Sequence, residues 1–273
     1  MSARRGAVWA GGRCGLAGVE EGWGRLRSTA PRARGGPLNR PPGASMNGVE
    51  NGSGLPLSGL ELLTTTRAVR KRLDVTRPVS RETLRECVGI ALQAPAASNN
   101  VSVRFVIVTD RELVAQLGEI YQAGFEVYRS LDGVYIGSIQ KDDPEEAAQQ
   151  RRTTASAEEL AAKMPQMPAI VIGCVQGGTR AENMPGWVTA SMHASAMPAL
   201  WSFMLAARLH GLGTCWTSVH LQQEKAAAEL LGIPYDTVSQ LMLTPVAHYT
   251  GDTFQPVSRP DPETVIHWDR WGQ

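Results

Sequence analysis

The stretch "HASAMPALWSFMLAARLHGLGTCWTSVHL", residues 193–221, decides the fold. From Ala194 to His210 it carries Met197, Leu200, Trp201, Phe203, Met204 and Leu205 with almost no polar face, and Gly211 stands where such a helix would close. A helix that is apolar nearly all round must be enclosed, by its own domain or by a second subunit. "TCWTSV" (214–219) then has strand composition, with Gly213 read as a tight helix-to-strand turn. The "GLGT" within it is not a dinucleotide fingerprint, because that motif follows a strand and opens a helix, the reverse of the order here.

Outward from this centre the chain alternates irregularly between helices and strands. Toward the N-terminus, "MPAIVIGCV" (167–175) and "VRFVIVTD" (103–110) are apolar runs of strand length, read as buried strands. Between them, Asp110 caps a helix with Leu113, Leu117, Ile120, Gly124 and Tyr128 at helical spacing, and Pro144 suits the first turn of a polar helix or lid over "DDPEEAAQQRRTTASAEELAAK". Ser58 and Glu61 form a capping box, and Ser80 caps a helix with Leu84, Val88 and Ala91 on one face. Toward the C-terminus come helix "LQQEKAAAELL", strand "SQLMLTPVAHY" and a Pro-rich tail. The pattern predicts a single α+β domain over 58–273.

Residues 1–57 read differently. The first 45 residues hold eight Arg, no Lys and only two Glu, with many Gly and Pro and no periodicity. This is a disordered Gly/Arg/Pro-rich extension, with translation from Met46 as an alternative start. An organelle transit peptide would be amphipathic and poor in Gly, which this segment is not. A basic nucleic-acid arm is set against a body left with 19 basic and 24 acidic residues and no nucleic-acid motif. Nothing approaches the ~18 apolar residues of a membrane span. The four cysteines, Cys14, Cys87, Cys174 and Cys215, show no disulfide framework or C-x-x-C spacing, so a cytoplasmic protein is expected.

Several chemistries lack their residues. No G-x-x-x-x-G-K-[ST] loop offers a triphosphate cradle. His193, His210, Cys215 and His220 lie at no ligand spacing, so no metal is expected. Ser191, Ser195, Ser202 and Ser218 lack a nucleophile elbow, and Cys215 reads as a buried thiol. What remains is "TTTRAVRKRLD" (64–74), with Arg67, Arg70, Lys71 and Arg72 ahead of any acid. Such a cluster is either a solvated helix end, where cations complement the dipole, or a phosphate clamp.

Four ordered segments decide between them. "TTRAVRKRLD…PVSRETL", "QAPAASNNVSVRFVIVTD", the central "HASAMPALWSFMLAARLHGLGTCWTSVHL" and "LLGIPYDTVSQLMLTPVAHYTGDTFQPVSRPDPETVIHWDRW" together resemble the FMN-dependent nitroreductase family, over roughly residues 58–273. The resemblance implies a nitroreductase-like α+β fold with a central mixed sheet flanked by helices, in an intertwined homodimer with two FMN sites at the interface. It implies that Arg67, Ala68 and Arg70 lie at the FMN phosphate, joined by Arg259 from the tail. Pro95, Ala96 and Asn99 would run along the flavin from the partner subunit, and Trp216, Thr217 and Ser218 would line its other edge. Ala68 and Ala96 stand where the family pattern has serines, Val101 and Val103 replace a Gln and a Trp, and Trp201 with Ser202 replace a Gln-Asn pair, which leaves the acceptor open.

The activity so implied is hydride transfer from NAD(P)H to nitroaromatic, quinone or similar small acceptors by a ping-pong mechanism. Because the cofactor carries the chemistry, no catalytic side chain is expected. A reductive dehalogenase, a deazaflavin-dependent member and a non-catalytic flavin-binding or storage protein are the alternatives.

Overall fold

The computed structural model describes residues 54–177, 184–252 and 254–272; the extension read over 1–57 lies outside them up to residue 53. In residues 54–57, Leu55 N–H donates to Leu209 O (2.7 Å) and so satisfies a carbonyl at the end of the long helix.

The helices are α1 (Gly59–Thr65), α2 (Arg81–Ala91), α3 (Arg111–Arg129), α4 (Pro144–Lys163), α5 (Gly186–Leu209) and α6 (Glu224–Leu231). The strands are β1 (Val103–Val108), β2 (Ala169–Gln176), β3 (Leu212–Thr214) and β4 (Val238–His248). The caps are those that the sequence signals. Ser58 and Glu61 close a full capping box, Ser80 accepts from Glu82 N and Thr83 N, and Asp110 accepts from Glu112 N and Leu113 N. Asp143 caps α4, with Pro144 in its first turn. Helix α5 starts eight residues before Ala194, because "GWVTASMH" (186–193) carries neither a side-chain cap nor an apolar stripe to announce it. None of the described helices is long and apolar enough to cross a membrane.

The strand order is β1-β2-β4-β3, and every pairing is antiparallel rather than mixed. Connectivity explains the difference. One helix, α5, joins β2 to β3, so these run in the same direction, but β4 inserts between them and opposes both. The strand expected over 214–219 is confined to Leu212–Thr214. Beyond it Thr217 makes one isolated bridge to Leu243, and Val219–Gln223 turns into a 3-10 helix.

Both sheet faces are covered. On β2, Ile170, Ile172 and Cys174 face a core built with Leu117, Tyr121 and Phe125 of α3, while Ala169, Val171 and Val175 face α2 and α5 through Cys87, Leu200 and Phe203. This is why the strand reads as a continuous apolar run. Gly173 lets α5 come close, since a Cβ there would fall 2.5 Å from a Leu200 methyl. The other side of α5 is open: Met197 and Trp201, one turn apart, are 45% and 39% exposed.

Candidate functional site

The arginine cluster is positioned by two apolar anchors. Val69 and Leu73 are buried; Val69 N–H donates to Thr214 O (2.8 Å), and Leu73 bridges to Tyr249 beyond the end of β4. With these held, Arg67, Ala68, Arg70, Lys71 and Arg72 line a cleft of about 510 Å³. Helix α4 forms another wall, through Gln149, Arg152, Thr153 and Ser156, and Phe254 and Gln255 of the tail complete it. Lys163 Nζ bonds Lys71 O (3.1 Å) and Lys71 pairs with Glu159 (3.6 Å), tying α4 to the arginine segment. Arg67 Nη1 reaches Gln255 O (3.4 Å).

Two guanidiniums stack on the tail's first described aromatic. Arg72 and Arg208 lie 4.3 Å and 3.9 Å from the Phe254 ring centre, and Arg208 also donates to the Tyr249 hydroxyl. Arg208 is only 5% exposed, with no carboxylate within ion-pair distance among the described residues. Ring faces and the C-terminal end of α5 stabilise its charge instead.

Arg70 points inward, to the Cys215 thiol. Burial pushes that thiol well above its ordinary pKa, against the opposing pull of Arg70. Beside it the buried Tyr121 hydroxyl bonds Thr217 Oγ1 (3.1 Å), and burial raises the phenol to about 12. Both groups are neutral at physiological pH, so this corner supplies hydrogen bonds and no general base.

The expected site residues fall into separate places. Arg67, Ala68 and Arg70 share the cleft, and Thr217 adjoins it through the corner that Arg70 reaches. Trp216 packs half-buried against the α5 side of the core, and Ser218 is exposed. Pro95 and Ala96 line a different recess, next to Ser195 of α5, whose Oγ accepts from Ala97 N (2.9 Å). Ser98 and Asn99 both hold left-handed backbone, at φ 55° and 52°, a conformation that costs roughly 1–2 kcal/mol for a residue with a Cβ. Such strain marks segments held for a purpose other than stability. Arg259 lies on the exposed tail and is not among the residues that line the cleft.

Sequence reasoning missed the cleft's second wall and its floor. Gln149, Arg152 and Phe254 had no local signal, although the polar helix was legible as a lid. Cys87, Cys174 and Cys215 are buried, and Cys14 lies outside the described residues.

A phosphate-bearing cofactor fits this donor set. Among the described residues the cleft presents guanidiniums and no lining carboxylate, a composition suited to phosphate recognition.

Comparison with known proteins agrees with the fold. A curated relative from Archaeoglobus fulgidus, named "Putative NADH dehydrogenase/NAD(P)H nitroreductase", is 24% identical over 181 residues, 66% of this chain and 79% of its own. Iodotyrosine deiodinase bound to FMN and 3-iodo-L-tyrosine superposes with a TM-score of 0.55 at 17% identity, over 78% of this chain and 99% of that one. The NADPH:FMN oxidoreductase of Vibrio harveyi, in complex with NAD+, gives 0.55 at 17% identity, over 78% of each chain. The Nitroreductase family profile matches residues 63–248, more than half of the sequence, and the chain therefore belongs to the nitroreductase family.

Proposed function

We propose that this chain is an FMN-dependent oxidoreductase that takes hydride from NAD(P)H and passes it to a small acceptor, a nitroaromatic or quinone, in two half-reactions at one cleft. The observation that carries this reading is the arginine-lined cleft, with no carboxylate lining it among the described residues, in a member of this family. The bound flavin would supply the hydride chemistry. Arg67 and Arg70 would hold its phosphate. Val69, bonded to Thr214, and Gly213 would fix those arginines against β3. Tyr121, kept protonated by burial, would orient Thr217 at the flavin's edge without exchanging protons.

The chain would act as a homodimer. The recess that holds Pro95 and Ala96 is separate from the cleft, as it would be if each subunit completed the other's site. The apolar surface needed for such a dimer is available at Met197 and Trp201 of α5 and at Leu60 and Leu63 of α1, the last two 74% and 63% exposed.

The test is the visible spectrum of the purified protein, followed by anaerobic addition of NADH or NADPH. Bound oxidised FMN that bleaches before any acceptor is added, with parallel double-reciprocal lines in the steady state, is the expected result. A protein that retains no flavin, or a flavin that neither nucleotide bleaches, overturns the reading.

A further inference from the structure

The cleft has more positive charge than a phosphate monoester needs. Arg67, Arg70, Lys71, Arg72 and Arg152 all line it, against no lining Asp or Glu among the described residues. If Arg67 and Arg70 hold the phosphate, three cations remain. Lys71 shares Glu159 with Lys163, which approaches that carboxylate more closely (2.7 Å against 3.6 Å). Arg72 is stacked on Phe254. Arg152 has neither kind of compensation among the described residues.

Arg152 is also held in a particular way. Its Nε and Nη2 both donate to Gln149 Oε1, at 3.3 Å and 2.8 Å, and Gln149 Nε2 donates in turn to Thr153 Oγ1 (3.3 Å). Gln149 is neutral, so the charge of Arg152 is positioned but not offset. With the Nε edge occupied, the Nη1/Nη2 edge of the fork is left to take a carboxylate or phosphate, the planar two-point contact for which a guanidinium is suited. Cations that line a cleft with low-dielectric walls concentrate anions there.

We propose that the second ligand of this cleft is an anion, and that Arg152 on α4 is the residue that selects it, with Gln149 holding Arg152 in place. This inference rests on the flavin reading above and names the chemistry of what binds beside the flavin. The anionic group is a carboxylate or phosphate, carried either by the acceptor or by the extra phosphate of NADPH.

The experiment uses the FMN-loaded protein and matched ligand pairs that differ in charge: 4-nitrobenzoate against 4-nitrobenzamide, and NADP+ against NAD+. Dissociation constants come from calorimetry or from the perturbation of the flavin spectrum. In at least one pair the more negatively charged member should bind about tenfold more tightly, the fold-change of one charge-assisted contact, and the preference should shrink as salt is raised. Preference within the nitrobenzoate pair assigns the anion to the acceptor, and preference within the nucleotide pair assigns it to the reductant. Arg152→Ala should abolish the preference, Arg152→Lys should restore part of it, and Gln149→Leu should weaken it, with the flavin spectrum of each variant unchanged. Equal binding within both pairs, or a preference that survives Arg152→Ala, overturns the proposal while leaving the flavin reading intact. A chain that binds no FMN overturns the flavin reading and this one with it.

Discussion

Gly213 and Val69 stand so close that a Cβ on Gly213 would meet the Val69 Cβ at 3.0 Å and a Leu73 methyl at 2.9 Å. Gly213 therefore serves close approach within β3, not the tight turn that its sequence context suggests; the left-handed residue is Gly211, at φ 69°. Gly213→Ala should push the arginine segment off β3, cost about 1–3 kcal/mol of stability and weaken FMN binding. Thermal unfolding and flavin titration of the variant measure both effects. An unchanged melting temperature would show that the segment adapts freely.

Arg67→Ala and Arg70→Ala should each weaken FMN binding by about 1.5–3 kcal/mol, tenfold or more. Arg259→Ala should do so only if the tail reaches the phosphate in the assembled protein, since within one chain Arg259 is exposed and does not line the cleft. Flavin titration of the three single variants separates these contributions. Stoichiometric FMN retained by the Arg67→Ala/Arg70→Ala double variant through gel filtration would sink the clamp.

Met197 and Trp201 sit one turn apart on the open side of α5. Replacing both with Asp leaves the buried side of the helix alone, so the subunit should still fold, but charges placed in a dry interface should dissociate a dimer and release its flavin. Light scattering with in-line absorbance reads mass and flavin together. A wild-type monomer that holds FMN normally would contradict the dimeric reading.

His220 is fully buried, and burial lowers its pKa to about 4 against the opposing pull of the Gln240 side chain. The folded state therefore binds this proton less readily than the unfolded chain, whose His titrates near 6.5. Stability should fall as pH drops from about 6.5 to about 4, by about 3 kcal/mol from this residue, and not further below that. His220→Leu should flatten that window relative to wild type in denaturant titrations at several pH values. Equal pH slopes in the two proteins would show that another group carries the effect.

Cys215 should behave as a packing residue. Its thiol is buried and raised, so the folded protein should resist alkylation at that position at pH 8, and Cys215→Ala should change turnover only modestly. Complete inactivity of that variant with its flavin intact would demand thiol chemistry and overturn the flavin mechanism.

What the sequence revealed follows the range of the forces involved. Caps and the Pro144 helix start are set within one turn, and Ser58, Ser80 and Asp110 announce them. The two-sided burial of β2 leaves an apolar run that only a buried strand explains. The α3 face differs from the expected set: Leu117 and Gly124 are buried, but Leu113, Ile120 and Tyr128 are half-buried, and Val114, Tyr121 and Phe125 take the inner positions, placing the Tyr121 hydroxyl against Thr217. At the cleft, the arginines were legible as a local cluster. The stacking of Arg208 on Phe254 and the lining of one cleft by Arg152 and Arg70 join residues far apart in sequence, and no local pattern encodes them.

The insertion of β4 between β2 and β3 has a consequence for synthesis. The strand that completes the middle of the sheet is the last one made, and its partner β2 is apolar on both faces. Until Val238–His248 leaves the ribosome, one edge of β2 stands without its neighbour and is open to pairing with another nascent chain. Native folding must wait for this distant partner, which makes it slow for a chain of this size and sensitive to the concentration of newly made copies.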